Sequence, residues 1–208
     1  MPVLARSLSV LVTLSLLTFG HAALASSPGG IDYHGWHIDL SKSPEPASEA
    51  LTKAIQKQID GIETLGMAQD IVSFMRTVPL RAEASHDGAP AHYDRARGID
   101  FRVEALDAKK PVLLHELLRA FQEQKLRGDD ITVITNAYQE ARDSGAWPAS
   151  APVLKSAQDF FATTATVYLF GDIDTAPFSR GRLNQAQPEY WKWLGGVFDG
   201  FHGCEGVQ

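Results

Sequence analysis

The amino-acid sequence predicts a single α+β domain, in which a small sheet packs on one central helix and further helices follow. Segments with apolar residues at helical spacing are interspersed with short stretches of period two, the pattern of mixed helices and strands. Of the 208 residues, 44% are hydrophobic, so a core can form without a disulfide. The single cysteine, Cys204, could not make one within the chain. A formal net charge of −6 with no basic block gives no reason to expect nucleic acid or anionic lipid as a partner.

Residues 1–25 read as a secretory signal peptide: one Arg, an apolar run from Leu8 to Phe19, then Ala23-Leu24-Ala25 before Ser26-Ser27. That run is shorter than a membrane span requires. The expectation is therefore an exported protein, periplasmic or secreted, cleaved near Ala25/Ser26, with its domain at residues 26–208 and no membrane attachment after cleavage.

A Ser/Pro/Gly linker, Ser26 to Gly30, leads into Tyr33 to Leu40, read as a strand. His34 and His37 would face opposite ways on a strand, so they could share an ion only if the chain turned at Gly35. After a loop in which Ser43 or Ser48 can cap a helix, Leu51, Ile55, Ile59 and Ile62 form an amphipathic stripe. Met67 to Arg76 reads as a second, short helix. Thr77 to Ala84, interrupted by Pro79, reads as an edge strand or extended segment. A turn-rich connector, Ser85 to Pro90, precedes Ala91-His92-Tyr93-Asp94 and a strand at Ile99 to Leu106.

The central helix is placed at Pro111 to Leu126, PVLLHELLRAFQEQKL. Leu114, Leu117, Leu118 and Phe121 recur at helical spacing, and Pro111 suits the first turn, where its missing N–H costs nothing. The run carries an ionisable pair, His115-Glu116. In a His-Glu-x-x-His helix two His four residues apart chelate zinc on one face, and the Glu acts as general base on the bound water. Here position 119 is Arg.

Asp129 or Asp130 can cap the next helix, running to about Ser144, with Ile131, Ile134, Tyr138 and Ala141 as its stripe and Gly145 as its end. Trp147-Pro148 begins an irregular stretch. Ala157 to Phe170 reads as a buried helix whose one ionised side chain is Asp159. A last helix starts at Pro188 and carries Tyr190, Trp191, Leu194 and Val197-Phe198, with Trp191 and Trp193 read as packing aromatics. Cys204, in HGCEG, has no neighbour that would lower its pKa and reads as an incidental thiol.

Several of these stretches together resemble secreted zinc peptidase-like proteins of the gluzincin type, distantly like the catalytic domain of anthrax lethal factor. Members carry HELLHAYH on one helix and an E-[FY]-F-A-E segment on a later one. KKPVLLHELLRAFQ at Lys109 to Gln122 and DFFAT at Asp159 to Thr163 stand in those places, AHYD precedes the central helix, and PFSRGRL…PEYWKWLGGVF looks like the closing segment. The resemblance runs from about Leu65 onward. It implies a zincin-like fold, with His115 as a zinc ligand, Glu116 as general base and Asp159 as the carboxylate ligand from the later helix.

The same resemblance implies an incomplete ligand set. Arg119 stands in the place of a ligand His, Gln122 where another His is often found, and Thr163 where a second Glu would be. A catalytic zinc takes three protein ligands and keeps one position for water, whereas two are supplied here. A guanidinium carries a permanent charge, and about 6 Å from a dication, at an effective dielectric of about 20, it opposes the metal by roughly 5 kcal/mol. Pairing Arg119 with Asp159, Glu116 or both would instead satisfy carboxylates otherwise stranded in an apolar site.

Three readings follow, from different classes. The first is an exported metallopeptidase-like protein with a degenerate zinc site, non-catalytic, without a cofactor, and polypeptide-binding. The second is a zinc-dependent peptidase or hydrolase that uses His115, Asp159 and an unorthodox third ligand such as His92, His34 or a loop residue. The third is a small exported structural or interaction domain in which His115-Glu116 is a satisfied core pair. Metal content separates the second from the others, and peptide binding separates the first from the third.

Overall fold

Glycine and one histidine fold the N-terminal stretch into two strands. In the computed structural model, which describes residues 29–43, 45–83, 90–102 and 110–199 and the backbone alone at 45–48, β1 (Gly30–Tyr33) and β2 (Trp36–Asp39) form an antiparallel hairpin. Its two turn residues, His34 and Gly35, have φ of 48° and 80°, as a tight two-residue hairpin demands. The single strand expected from Tyr33 to Leu40 is thus corrected to the second half of a hairpin.

β3 (Leu80–Ala82), β4 (Ala91–Asp94) and β5 (Gly98–Phe101) complete a five-stranded sheet of order β1-β2-β3-β5-β4. β3 runs parallel to both β2 and β5, while β4 and β5 pair antiparallel. The expected edge strand around Thr77 to Ala84 is therefore internal. Pro79 does not prevent this, because it precedes the strand and its carbonyl still accepts the Ile99 N–H at 2.8 Å. β5 ends at Phe101, earlier than the expected Leu106; residues 103–106 lie outside the described residues, as do the signal-peptide stretch and Cys204.

α1 (Glu45–Glu63) buries the expected Leu51, Ile55, Ile59 and Ile62, and α2 (Gln69–Arg76) buries Ile71, Val72, Phe74 and Met75. α3 (Val112–Lys125) is enclosed on several sides, with Leu113, Leu114, Leu117, Leu118 and Ala120 all buried. It packs against β4 and β5 of the sheet, against α1 and α2, and along α5 (Ala157–Phe170). α4 (Asp129–Ser144) ends at Gly145, whose φ of 65° supplies the left-handed stop. Its buried stripe is Ile134, Ala137 and Ala141, whereas Ile131 is 39% exposed. That first-turn residue falls outside the packed face, a correction to the expected stripe.

A 3₁₀ turn at Pro152–Leu154 leads into α5, most of which is buried on every side. Its internal threonines satisfy their hydroxyls locally: Thr164 and Thr166 donate to the carbonyls of Phe160 and Ala162, each at 2.7 Å. Phe160 packs against Trp147, Tyr138 and Tyr190, which joins the irregular stretch and α4 to α7 (Pro188–Phe198). A short helix without a sequence stripe, α6 (Arg180–Ala186), precedes α7 and buries only Leu183. No helix among the described residues is long and apolar enough to cross a membrane.

Candidate functional site

The phase of α3 is set at its first turn. Gln58 of α1 donates from Nε2 to the Lys110 carbonyl at 3.0 Å and accepts the Leu113 N–H on Oε1 at 3.2 Å, replacing the cap that Pro111 cannot give. With the helix held there, His115 and Glu116 line a cleft of about 460 Å³, walled also by Ala91 of β4, by Thr163 and Thr166 of α5, and by Ile173.

The His115 imidazole has no hydrogen-bond partner among the described residues. Burial, and next the Arg119 guanidinium, push its pKa down to about 4, with Asp159 opposing weakly. It is a neutral imidazole at neutral pH. Glu116 is 7% exposed, and its Oε2 accepts the Tyr93 backbone N–H at 2.8 Å. Burial raises its pKa above the usual carboxylate range, against the pull of the Tyr93 N–H, Arg119 and His92.

Arg119 bridges the two helices. Its Nη1 donates to Asp159 Oδ1 at 2.8 Å, its Nη2 to Gln158 Oε1 at 3.2 Å, and its Nε stands 3.8 Å from Glu116 Oε2. Asp159 is held from its other side as well. Ser156, the N-cap of α5, accepts the Asp159 N–H at 3.0 Å and donates its hydroxyl to Asp159 Oδ2 at 2.6 Å. Both carboxylate oxygens of Asp159 are therefore engaged. Asp159 lies one turn before Thr163, so α5 carries the carboxylate beside Arg119 and the hydroxyl residue into the cleft.

The cleft borders the outer edge of β4, which no other strand among the described residues pairs with. Arg102 N–H bonds the Pro90 carbonyl at 3.1 Å, and antiparallel pairs alternate between bonded and unbonded. In the observed register Ala91 faces Phe101 and Tyr93 faces Ile99, so the N–H and C=O of Ala91 and Tyr93 point away from β5. Glu116 takes the Tyr93 N–H. Those of Ala91 have no hydrogen-bond partner among the described residues.

Four of the residues singled out in the sequence, His115, Glu116, Arg119 and Asp159, thus come together. Thr163 joins them through the cleft wall. Gln122 does not: it is buried, its Oε1 lacks a partner among the described residues, and it lines a separate groove with Gln158 and Ile131. His92 is exposed on β4, near enough to act on Glu116 but not part of the cleft wall. His34 sits at the hairpin turn, 3.6 Å from Asp60, and His37 pairs with Asp32 at 2.9 Å. The turn at Gly35 brings these two histidines to different carboxylates.

Sequence reasoning passed over Ser156, Gln158 and the Tyr93 amide. Ser156 carried a signal, the Ser-x-x-Asp spacing of a helix start; a backbone amide carries none. As a zinc donor set the residues do not fit. Arg119 stands between the two carboxylates, each Asp159 oxygen already accepts a hydrogen bond, and no three His, Cys, Asp or Glu side chains gather among the described residues. Comparison of the chain with protein-family models, with characterised proteins and with solved structures finds no significant match.

Proposed function

We propose that the chain is an exported zincin-like protein of the gluzincin type in which Arg119 has taken over the metal's electrostatic role, leaving a non-catalytic, polypeptide-binding cleft. The Arg119 bridge carries this reading, because a cationic side chain stands against both Glu116 and Asp159, at 3.8 and 2.8 Å. Without a third ligand no water is held for Glu116 to activate. The outer edge of β4 beside the cleft, unpaired with any strand among the described residues, suits an extended peptide, which binds by adding a strand.

The purified mature protein is expected to retain well under one equivalent of zinc after equilibration and dialysis. Wild type and Glu116→Gln should give the same background rate on peptide substrates, while an extended peptide should slow amide exchange at Ala91. One equivalent of zinc lost on His115→Ala, together with activity lost on Glu116→Gln, would establish the metallohydrolase reading instead. Absence of zinc, activity and peptide protection would leave the structural-domain reading.

A further inference from the structure

A second cleft, of about 600 Å³, shares no lining residue with the first. Three arginines line it: Arg76 at the end of α2, Arg81 in β3, and Arg97 in the turn from β4 to β5. Three cations on one wall stand out on a chain of net charge −6, although carboxylates back each of them. Each guanidinium is steadied by a carboxylate yet keeps nitrogens uncommitted. Arg76 gives Nε and Nη2 to Glu63 at 3.2 and 2.7 Å. Among the described residues Arg81 gives only Nε, to Asp100 Oδ1 at 2.8 Å, and its buried Nη2 has no acceptor. Arg97 is the loosest: its Nε lies 3.5 Å from Asp94 Oδ1 and its Nη1 3.8 Å from Asp100 Oδ2, both beyond a good hydrogen bond.

Asp100 is thus shared between Arg81 and Arg97, while Asp94 backs Arg97 as well. Asp39 is the one acidic residue among the described lining residues, and its Oδ1 already accepts the Ser41 N–H at 2.8 Å. His37, on the same wall, gives Nδ1 to Asp32.

We propose that this cleft binds an oxyanion, a phosphate or carboxylate group bridged by Arg81 and Arg97. A guanidinium presents N–H donors in a fixed plane that matches two oxygens of such a group. Arg81 offers a guanidinium held to Asp100 through Nε alone among the described residues, and Arg97, 54% exposed, is free to turn onto the second oxygen. Asp39 opposes any anion, so binding depends on engaging both arginines at once rather than on excess charge.

The test is isothermal titration of the full mature chain with inorganic phosphate and, separately, with succinate, at constant ionic strength against a chloride control. Wild type should bind at least one of them saturably at one site. Arg97→Ala removes an exposed side chain and should weaken binding about tenfold or more, the loss expected for one charge-assisted contact. Arg81→Met should do the same, Asp39→Asn should tighten binding, and Arg95→Ala, whose guanidinium pairs with Glu123 outside the cleft, should leave it unchanged. Binding of phosphate alone identifies a phosphoryl ligand, of succinate alone a carboxylate, and of both an unselective oxyanion site. No binding above chloride, or equal affinity in wild type and Arg97→Ala, overturns the proposal.

Discussion

Arg119 is the residue whose loss should be felt most, because removing it leaves two largely enclosed carboxylates without their cation. Breaking a fully buried pair from one side costs about 3–5 kcal/mol, and an exposed pair is worth about 1 or less. With the Arg119 side chain 22% exposed and those of Glu116 and Asp159 at 10% and 18%, Arg119→Ala should cost about 2–4 kcal/mol by urea denaturation. A value near zero would mean that the contacts carry no weight. His115 makes a separate prediction through its depressed pKa of about 4. Its contribution is fully present above the unfolded value of about 6.5 and is lost as pH falls from there through about 4, as the unfolded chain takes up the proton first. Glu116 acts in the opposite sense, since its raised pKa makes protonation favour the fold. The stability difference between wild type and His115→Leu, which leaves Glu116 in both, should therefore shrink by about 3 kcal/mol at most between pH 6.5 and 4. A difference independent of pH would contradict the neutral, enclosed imidazole.

At the scale of elements, β4 is tied to α3 by the Tyr93 N–H to Glu116 and by Gln124 Nε2 to the Tyr93 hydroxyl at 3.0 Å. Glu116→Ala should speed amide exchange at Tyr93 about ten- to hundredfold, the loss of one hydrogen bond to a charged acceptor. The Ile99 amide, bonded to the Pro79 carbonyl, should change far less; equal acceleration at both would mean that the sheet as a whole has loosened. The longer helices were legible because their ends are marked, α4 by Gly145 and α7 by Pro188, whereas α6 was not. At the start of α4 the expected Asp cap is corrected, since Gly128 is the N-cap and Asp129 and Asp130 lie in the first turn. Strands of three or four residues offer only one or two alternations. β3 reads as Leu-Arg-Ala, and its central place depends on β2 and β5, which nothing in Thr77 to Ala84 encodes. The His34-Gly35 turn was hidden for another reason: a histidine occupies a left-handed position that usually goes to Gly, Asn or Asp.

Across the whole molecule, the His115 cleft unites residues far apart in sequence. Arg119 and Asp159 are separated by 40 positions, Tyr93 and Glu116 by 23. The charged partners could be named beforehand because ionisable side chains in apolar helices must find one another. Ser156, which spends one Asp159 oxygen, and the Tyr93 amide became visible only through packing. These contacts turn the question of zinc into one about position 119, since a His there would remove the cation and return a ligand beside His115 and Asp159. The central claim is tested most directly by denaturing wild type and Arg119→His with added zinc and with chelator. Wild type should have one midpoint in both conditions. Arg119→His should be less stable than wild type in chelator and regain about 2.7 kcal/mol when zinc reaches a hundred times its dissociation constant. Stabilisation of wild type by zinc, or a variant indifferent to it, would contradict the claim that Arg119 stands in the metal's place.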